Sequence, residues 1–345
     1  MLNILVALFY LSAVLGHPLG YPVLAVENKQ GVEKIFYMSE LKEKEGIESL
    51  KENVAKIDIL APQFYGVSAK LKLTGGLDNK LKTIIKEKNI KVMPLVANYA
   101  FRQDIMHNLL VSNKAQNEII TALVAEGKKE NYIGWQFDFE NINYLDKDLY
   151  SAFVEKTAEL LHKNNLILSV AAVSRSVDFE DTDIYKNWSG AFDYARLAKA
   201  VDFISLMTYD DPNSTGPVAS VPFVTDVLNY VKDKIPAEKL SFGIPLYNWG
   251  WCADTSKKVT ASGTYDGLLY IKSNYNCKEG FDSALGSAWL SYFWENKEYK
   301  VWHQDKQTFE GKLDIVNQNN FRGFSAWVLG VEDPQIWSTL SKTAK

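Results

Sequence analysis

The chain has 345 residues, of which 47% are hydrophobic and 23% charged, and its net charge is −4. This is a globular profile, which excludes a disordered chain or a membrane-embedded body, and the slight acidic balance offers nucleic acid no basic surface. The length suits a single α/β barrel with an insertion.

In chain order, residues 4–15 form an apolar run too short to span a bilayer, followed by small residues at Val23, Leu24 and Ala25. This predicts a secretory signal over residues 1–25, hence a secreted or cell-envelope protein. The start carries no Lys or Arg, so an uncleaved N-terminal anchor is the alternative. Beyond it, short β-branched runs predict strands at 34–38, 57–65, 91–98, 132–140, 166–173, 201–210, 239–247 and 321–330. Amphipathic stretches lie between most of them. Residues 148–162 place Leu149, Phe153, Val154, Thr157, Leu160 and Leu161 on one helical face, with Asp146 or Asp148 as the acid at its start. Residues 307–319 do the same with Phe309, Leu313 and Val316.

Eight strands alternating with helices predict an α/β fold, the (β/α)8 TIM barrel, over residues 26–345. A doubly wound sheet is disfavoured because it would carry a phosphate loop after its first strand. Residues 248–305 interrupt the alternation after the seventh strand. They are rich in Tyr, Trp, Gly and Ser and read as a short insertion at the C-terminal rim. This insertion holds both cysteines, Cys252 and Cys277. In an exported protein they could close a loop of about 25 residues with a disulfide worth about 3 kcal/mol; two thiols are the alternative. His17, His107, His162 and His303 have no metal-ligand spacing. Neither a metal nor an organic cofactor is implied.

The most informative run is residues 132–140. Ile133, Trp135, Phe137 and Phe139 alternate with Gln136, Asp138 and Glu140, so the three polar groups share one face of a strand. Their Cα atoms would lie roughly 6–7 Å apart for Asp138 and Glu140, close enough to perturb each other's protonation. Alone, the pair would suit a solvated edge strand. Other strand ends add Gln63 with Tyr65, Asn98 with Tyr99, Met207 with Tyr209 and Asp210, Tyr247 with Trp249, and Trp327. Acids, amides, tyrosines and tryptophans converging on the C-terminal rim of a barrel form a glycan-processing set. The 13% aromatic content and nine Trp fit sugar faces stacking on rings.

These residues resemble glycoside hydrolase family 18, which contains chitinases and N-acetylglucosaminidases. The family pattern D-G-x-D-x-D-x-E is matched by residues 133–140, M-x-Y-D by Met207, Thr208, Tyr209 and Asp210, G-x-P-x-Y by residues 243–247, and G-x-x-x-W by residues 323–327. The F-D-F-E-N and W-V-L-G runs are most similar to the bacterial spore and cell-wall branch. The resemblance implies that Glu140 is the general acid, that Asp138 holds the substrate's acetamido N–H, and that Tyr209 aligns its carbonyl. Retention is then substrate-assisted, without an enzyme nucleophile. Trp327 would floor the pocket, with Met207, Asp210 and Tyr247 shaping it and Tyr37, Gln63, Tyr65, Asn98 and Gln136 as further substrate contacts. The implied partner is an N-acetylglucosamine-containing glycan, either chitin oligomers or peptidoglycan, bound by a monomer.

Two positions depart from the pattern. Ile133 stands at the first Asp and Gln136 at the second. The Gln136 amide is expected to donate to Asp138. With no neighbouring acid there, Asp138 should titrate lower than in relatives that carry the pair. A non-hydrolytic lectin of the same fold is the competing reading, and it would be expected to lack the acid that Glu140 supplies.

Overall fold

The computed structural model describes residues 31–342 apart from 254 and 260–262. The signal expected at residues 1–25 lies outside them. The strands are β1 (Glu33–Ser39), β2 (Ile59–Gln63), β3 (Tyr65–Val67), β4 (Leu73–Gly75), β5 (Leu95–Asn98), β6 (Gly134–Asp138), β7 (Ile167–Val173), β8 (Phe203–Met207), β9 (Leu240–Pro245), β10 (Trp249–Cys252), β11 (Lys257–Val259), β12 (Lys278–Asp282), β13 (Ser287–Trp294), β14 (Lys297–His303) and β15 (Gly323–Trp327). The α-helices are α1 (Glu43–Asn53), α2 (Asn79–Lys88), α3 (Gln103–Leu110), α4 (Asn113–Lys129), α5 (Lys147–His162), α6 (Tyr194–Ala200), α7 (Val221–Val231), α8 (Tyr265–Asn274) and α9 (Lys306–Gln318).

One parallel ladder runs β2-β1-β15-β9-β8-β7-β6-β5-β3. β2 and β3 are two halves of one strand broken at Phe64. The first half pairs with β1 and the second with β5, so the strand serves both neighbours and closes the barrel. The expected (β/α)8 architecture is therefore present. Most predicted strands run past the paired ones at one or both ends, whereas β1 extends one residue beyond the predicted 34–38 on each side. At 91–98 only a bridge from Val92 to Leu60 precedes Pro94, which supplies no N–H, and β5 starts at Leu95.

Helix formation follows local chemistry. Asp78, Ser112, Ser220 and Asp305 cap α2, α4, α7 and α9 with side-chain oxygens. As expected, acids stand at the start of α5: Asp146 is its N-cap residue and Asp148 lies in its first turn, although Asp146 makes no side-chain capping bond and instead bonds His107 Nδ1 at 3.0 Å. Leu149, placed on the apolar face by its spacing, is exposed, while Tyr150, Phe153, Val154 and Leu161 are buried.

On β6 the period of two governs packing. Trp135, Phe137 and Phe139 face outward and are fully buried: the Trp135 indole donates to the Leu123 carbonyl on α4, and Phe137 stacks on Phe153 of α5 at 5.5 Å. Gln136 and Asp138 therefore face the barrel interior.

After β9 the chain builds a second sheet, antiparallel in order β11-β10-β14-β13-β12. Helix α8, which the sequence reading passed over, lies within this excursion and is capped by Thr264. Cys252 and Cys277 pack in the same apolar cluster but form no disulfide. The proposed bridge is corrected because Cys277 Sγ turns back toward the Tyr275 carbonyl at 3.4 Å and the Ile271 carbonyl at 3.8 Å, the open end of α8. Among the described residues no helix is long and apolar enough to cross a membrane, and no group of three or more His, Cys, Asp or Glu could hold a metal.

Candidate active site

Asp138 is the last residue of β6, and Glu140 lies just beyond it. The loop that carries Glu140 is tied to the end of β5. Asn98 Oδ1 accepts from the Glu140 N–H at 3.0 Å, and Asn98 Nδ2 donates to the Glu140 carbonyl at 2.9 Å. Asn141, in the left-handed region at φ 52°, continues the tie by donating to the Phe101 carbonyl at 2.9 Å.

Both carboxyls are pulled out of water. Burial first, then the Asp138 and Asp210 charges, push Glu140 up to about 8. Burial also raises Asp138, to about 6, against a hydrogen bond from Gln63 Nε2 at 2.8 Å that lowers it. Two acids with different environments can share one proton, and here the proton belongs on Glu140.

Tyr209 and Asp210 follow β8. Gly243 lets β9 approach them: a Cβ at that position would lie 2.5 Å from the Leu206 carbonyl oxygen and 2.9 Å from Tyr209 Cε1. Thr208 donates to the Gly243 carbonyl at 2.7 Å and fixes the turn. Among the described residues the Tyr209 hydroxyl takes no hydrogen-bond partner, which leaves it available to a substrate. Asp210 sits at φ 60° and accepts from the Tyr247 hydroxyl at 2.6 Å. The residue is exposed at the cleft mouth, but its inward-turned carboxyl is raised by desolvation, which the Tyr247 bond opposes. Tyr247 packs edge-to-face on Tyr209 at 6.3 Å.

Two clefts meet here and a third lies to one side. One of about 400 Å³ is lined by Asp210, Tyr247, Trp249, Lys258 and Trp327. A second of about 320 Å³ is lined by Glu140, Trp188, Met207, Tyr209, Asp210 and Phe223. The third, about 290 Å³, lies beside Gln63, Asn98 and Tyr99. Asp210 borders the first two, so they are continuous across it.

The structure thus brings Asp138, Glu140, Met207, Tyr209, Asp210, Tyr247, Trp327 and Gln63 to one rim. Four other candidates need correction. Gln136 is fully buried. Its Nε2 donates to Ser169 and Ser205 at 2.5 and 2.9 Å, and its Oε1 accepts from Tyr37 at 2.8 Å. It reaches neither substrate nor Asp138, and the amide serving Asp138 is Gln63's. Tyr37 is buried beneath Trp327, at 5.4 Å between rings, and is a support rather than a contact. The Tyr65 hydroxyl points outward to Tyr132 at 2.9 Å and Glu126 at 3.2 Å, because this half of the broken strand turns the ring toward the helical layer. Asn98 spends both ends of its amide on backbone.

Sequence reasoning missed Lys258, Trp188 and Phe223, and it collected Trp249 at the end of the seventh strand without giving it a place in the site. It also missed the serines at inward strand positions. Ser205 and Ser325 are 2.8 Å apart and Ser241 and Ser325 2.7 Å, and they extend the Gln136 network across the barrel floor.

The family model described as Glycosyl hydrolases family 18 matches residues 34–332. An uncharacterized glycosylase, YvbX of Bacillus subtilis (strain 168), is 27% identical over 86% of this chain and 88% of its own length. A cortical fragment-lytic enzyme of the same organism is also 27% identical, over 76% of this chain and 62% of its own length. Among solved structures, the spore cortex-lytic enzyme SleL of Bacillus megaterium QM B1551 superposes with a TM-score of 0.81 at 24% identity, covering 93% of this chain and 76% of that one. A chitinase of Chromobacterium violaceum ATCC 12472 superposes with a TM-score of 0.80 at 23% identity, covering 89% and 97%.

Proposed function

Because the chain belongs to glycosyl hydrolase family 18, we propose that it is a retaining glycosidase that cleaves β-linked N-acetylglucosamine-containing glycans, chitin oligomers or peptidoglycan, with Glu140 as general acid. The observation that carries this reading is the geometry of two desolvated carboxyls two residues apart, Asp138 bonded by Gln63 and Glu140 held by Asn98 at the cleft, with burial raising both but Glu140, to about 8, further than Asp138, to about 6. Near neutrality Glu140 can donate a proton while Asp138 stays charged.

Glu140 protonates the glycosidic oxygen as the bond to the leaving sugar breaks. The carbonyl oxygen of the substrate's own 2-acetamido group closes on the anomeric carbon. Asp138 accepts the acetamido N–H and balances the positive charge of the resulting ring, held in place by Gln63. The Tyr209 hydroxyl, without a partner among the described residues, aligns the acetamido carbonyl. Water then attacks the anomeric carbon, giving its proton to the Glu140 carboxylate as the bond from the acetamido oxygen breaks, so the ring reopens and the original configuration is restored. Trp327 and Tyr247 hold the cleaved sugar, and the Glu140 side of the cleft, with Met207, Trp188 and Phe223, takes the leaving group.

The apolar run at residues 4–15 supports export to the cell envelope or medium. The deciding experiment is hydrolysis of N-acetylglucosamine oligomers and of purified peptidoglycan by the wild type and Glu140→Gln, with products read by mass spectrometry. Cleavage by the wild type alone supports the reading, and product masses choose the polymer. Binding without cleavage by the wild type moves the chain to the lectins.

A further inference from the structure

Lys258 lies on β11, paired opposite Trp251 in the antiparallel ladder with β10. Its ammonium rests 3.4 Å from the centroid of the Trp249 ring and 5.9 Å from that of Trp251. The side chain is therefore laid across an indole face at the cleft rather than extended into solvent. Desolvation there works against the ammonium and lowers its pKa, while the Asp210 charge and the attraction of the ring hold it in place. Among the described residues that line the three clefts, Lys258 is the one cation. It makes no ion pair among the described residues. Asp210 acts on it only through space. A cleft that otherwise holds Asp138, Glu140 and Asp210 thus keeps one positive charge, at the end away from the acid.

Position tells which part of a substrate meets that charge. Glu140 lines the cleft opposite Lys258, and the group protonated by Glu140 departs on that side. The sugar over Trp327, and whatever is linked to its non-reducing end, occupies the Lys258 side. A neutral glycan offers Lys258 only hydroxyls. A carboxylate there forms a charge-assisted bond walled by aromatic rings.

We propose that Lys258 is a specificity-determining residue that recognises a carboxylate carried by the glycan on the non-reducing side of the cut, such as the lactyl ether acid of a muramic acid residue. This rests on the hydrolase reading above and selects a glycan strand whose lactyl acid is free of stem peptide over neutral chitin.

The test uses the full chain and one glycan in two charge states. Strands of alternating N-acetylglucosamine and N-acetylmuramic acid are freed of stem peptide, and half are amidated at the lactyl carboxyl. The quantity read is the ratio of kcat/KM on acid strands to that on amidated strands. A wild-type ratio of about five- to tenfold is expected, falling as salt is added. It should drop to about one in Lys258→Gln and be retained in Lys258→Arg. A wild-type ratio near one, or a ratio unaltered in Lys258→Gln, overturns the proposal while leaving the hydrolase reading intact. Cleavage of neither strand type, nor of N-acetylglucosamine oligomers, overturns both.

Discussion

Asn98 grips the backbone of Glu140 from both sides, accepting from its N–H at 3.0 Å and donating to its carbonyl at 2.9 Å. The acid stands past the end of its own strand and is held by a residue of the neighbouring one. Asn98→Leu should therefore lower kcat roughly 10- to 100-fold while KM changes little, because orientation is lost and binding kept. Asn98→Asp, which keeps the acceptor and loses the donor, should fall between. An equal change in KM would show that Asn98 touches substrate. Circular dichroism checks that the barrel stays folded.

The pH profile follows from the two carboxyls. Activity needs Asp138 charged and Glu140 protonated, so kcat/KM should be bell-shaped, with an acid limb near 6 and an alkaline limb near 8. Because the groups interact, these limbs belong to the pair. Gln63→Met removes the donor that lowers Asp138, so the acid limb should move up by roughly one pH unit with the alkaline limb nearly fixed. Both limbs moving together would contradict the assignment.

The raised Glu140 also has a signature in stability. Its folded-state value lies above its unfolded one, so its contribution is fully present below about 4.5 and is lost as pH rises through about 8. Glu140→Gln removes that loss. Besides abolishing cleavage, it should raise Tm by about 3–6 °C at pH 8.5, with the gain vanishing below pH 5. Differential scanning calorimetry at the two pH values decides it. A gain equal at both would mean that packing, not ionisation, is responsible.

Gln136 bridges Tyr37, Ser169 and Ser205 in the closed interior. Gln136→Met keeps the volume and leaves those hydroxyls short of partners. It should cost about 2–4 kcal/mol in urea unfolding, with the acid limb of the pH profile in place because Gln63, not Gln136, serves Asp138. A shifted acid limb in this variant would restore a direct link between Gln136 and Asp138.

Much of this was legible in the sequence, for reasons that can be named. The period of two at 132–140 separates Phe137 from Asp138, and polar residues closing apolar strands identified Tyr209, Asp210, Tyr247 and Trp327. The barrel followed from the alternation. What escaped depended on partners distant in sequence. Whether an inward amide faces substrate or serine is decided by strands β7 and β8, so Gln136 could not be told from a contact. Tyr65 was misplaced because the break at Phe64 reorients the strand. Lys258 belongs to the edge of a second sheet whose pairing no local pattern announces. Gln63 was foreseen at the site, but not as the partner of Asp138.

The residues that wall Glu140, among them Val173, Trp188, Met207, Tyr209, Asp210 and Phe223, all follow it in the chain. Its affinity for a proton comes from enclosure, so a chain made only as far as Glu140 carries an ordinary glutamate there. The strands and loops that come after it therefore do more than complete a shape: their docking converts a carboxylate into an acid.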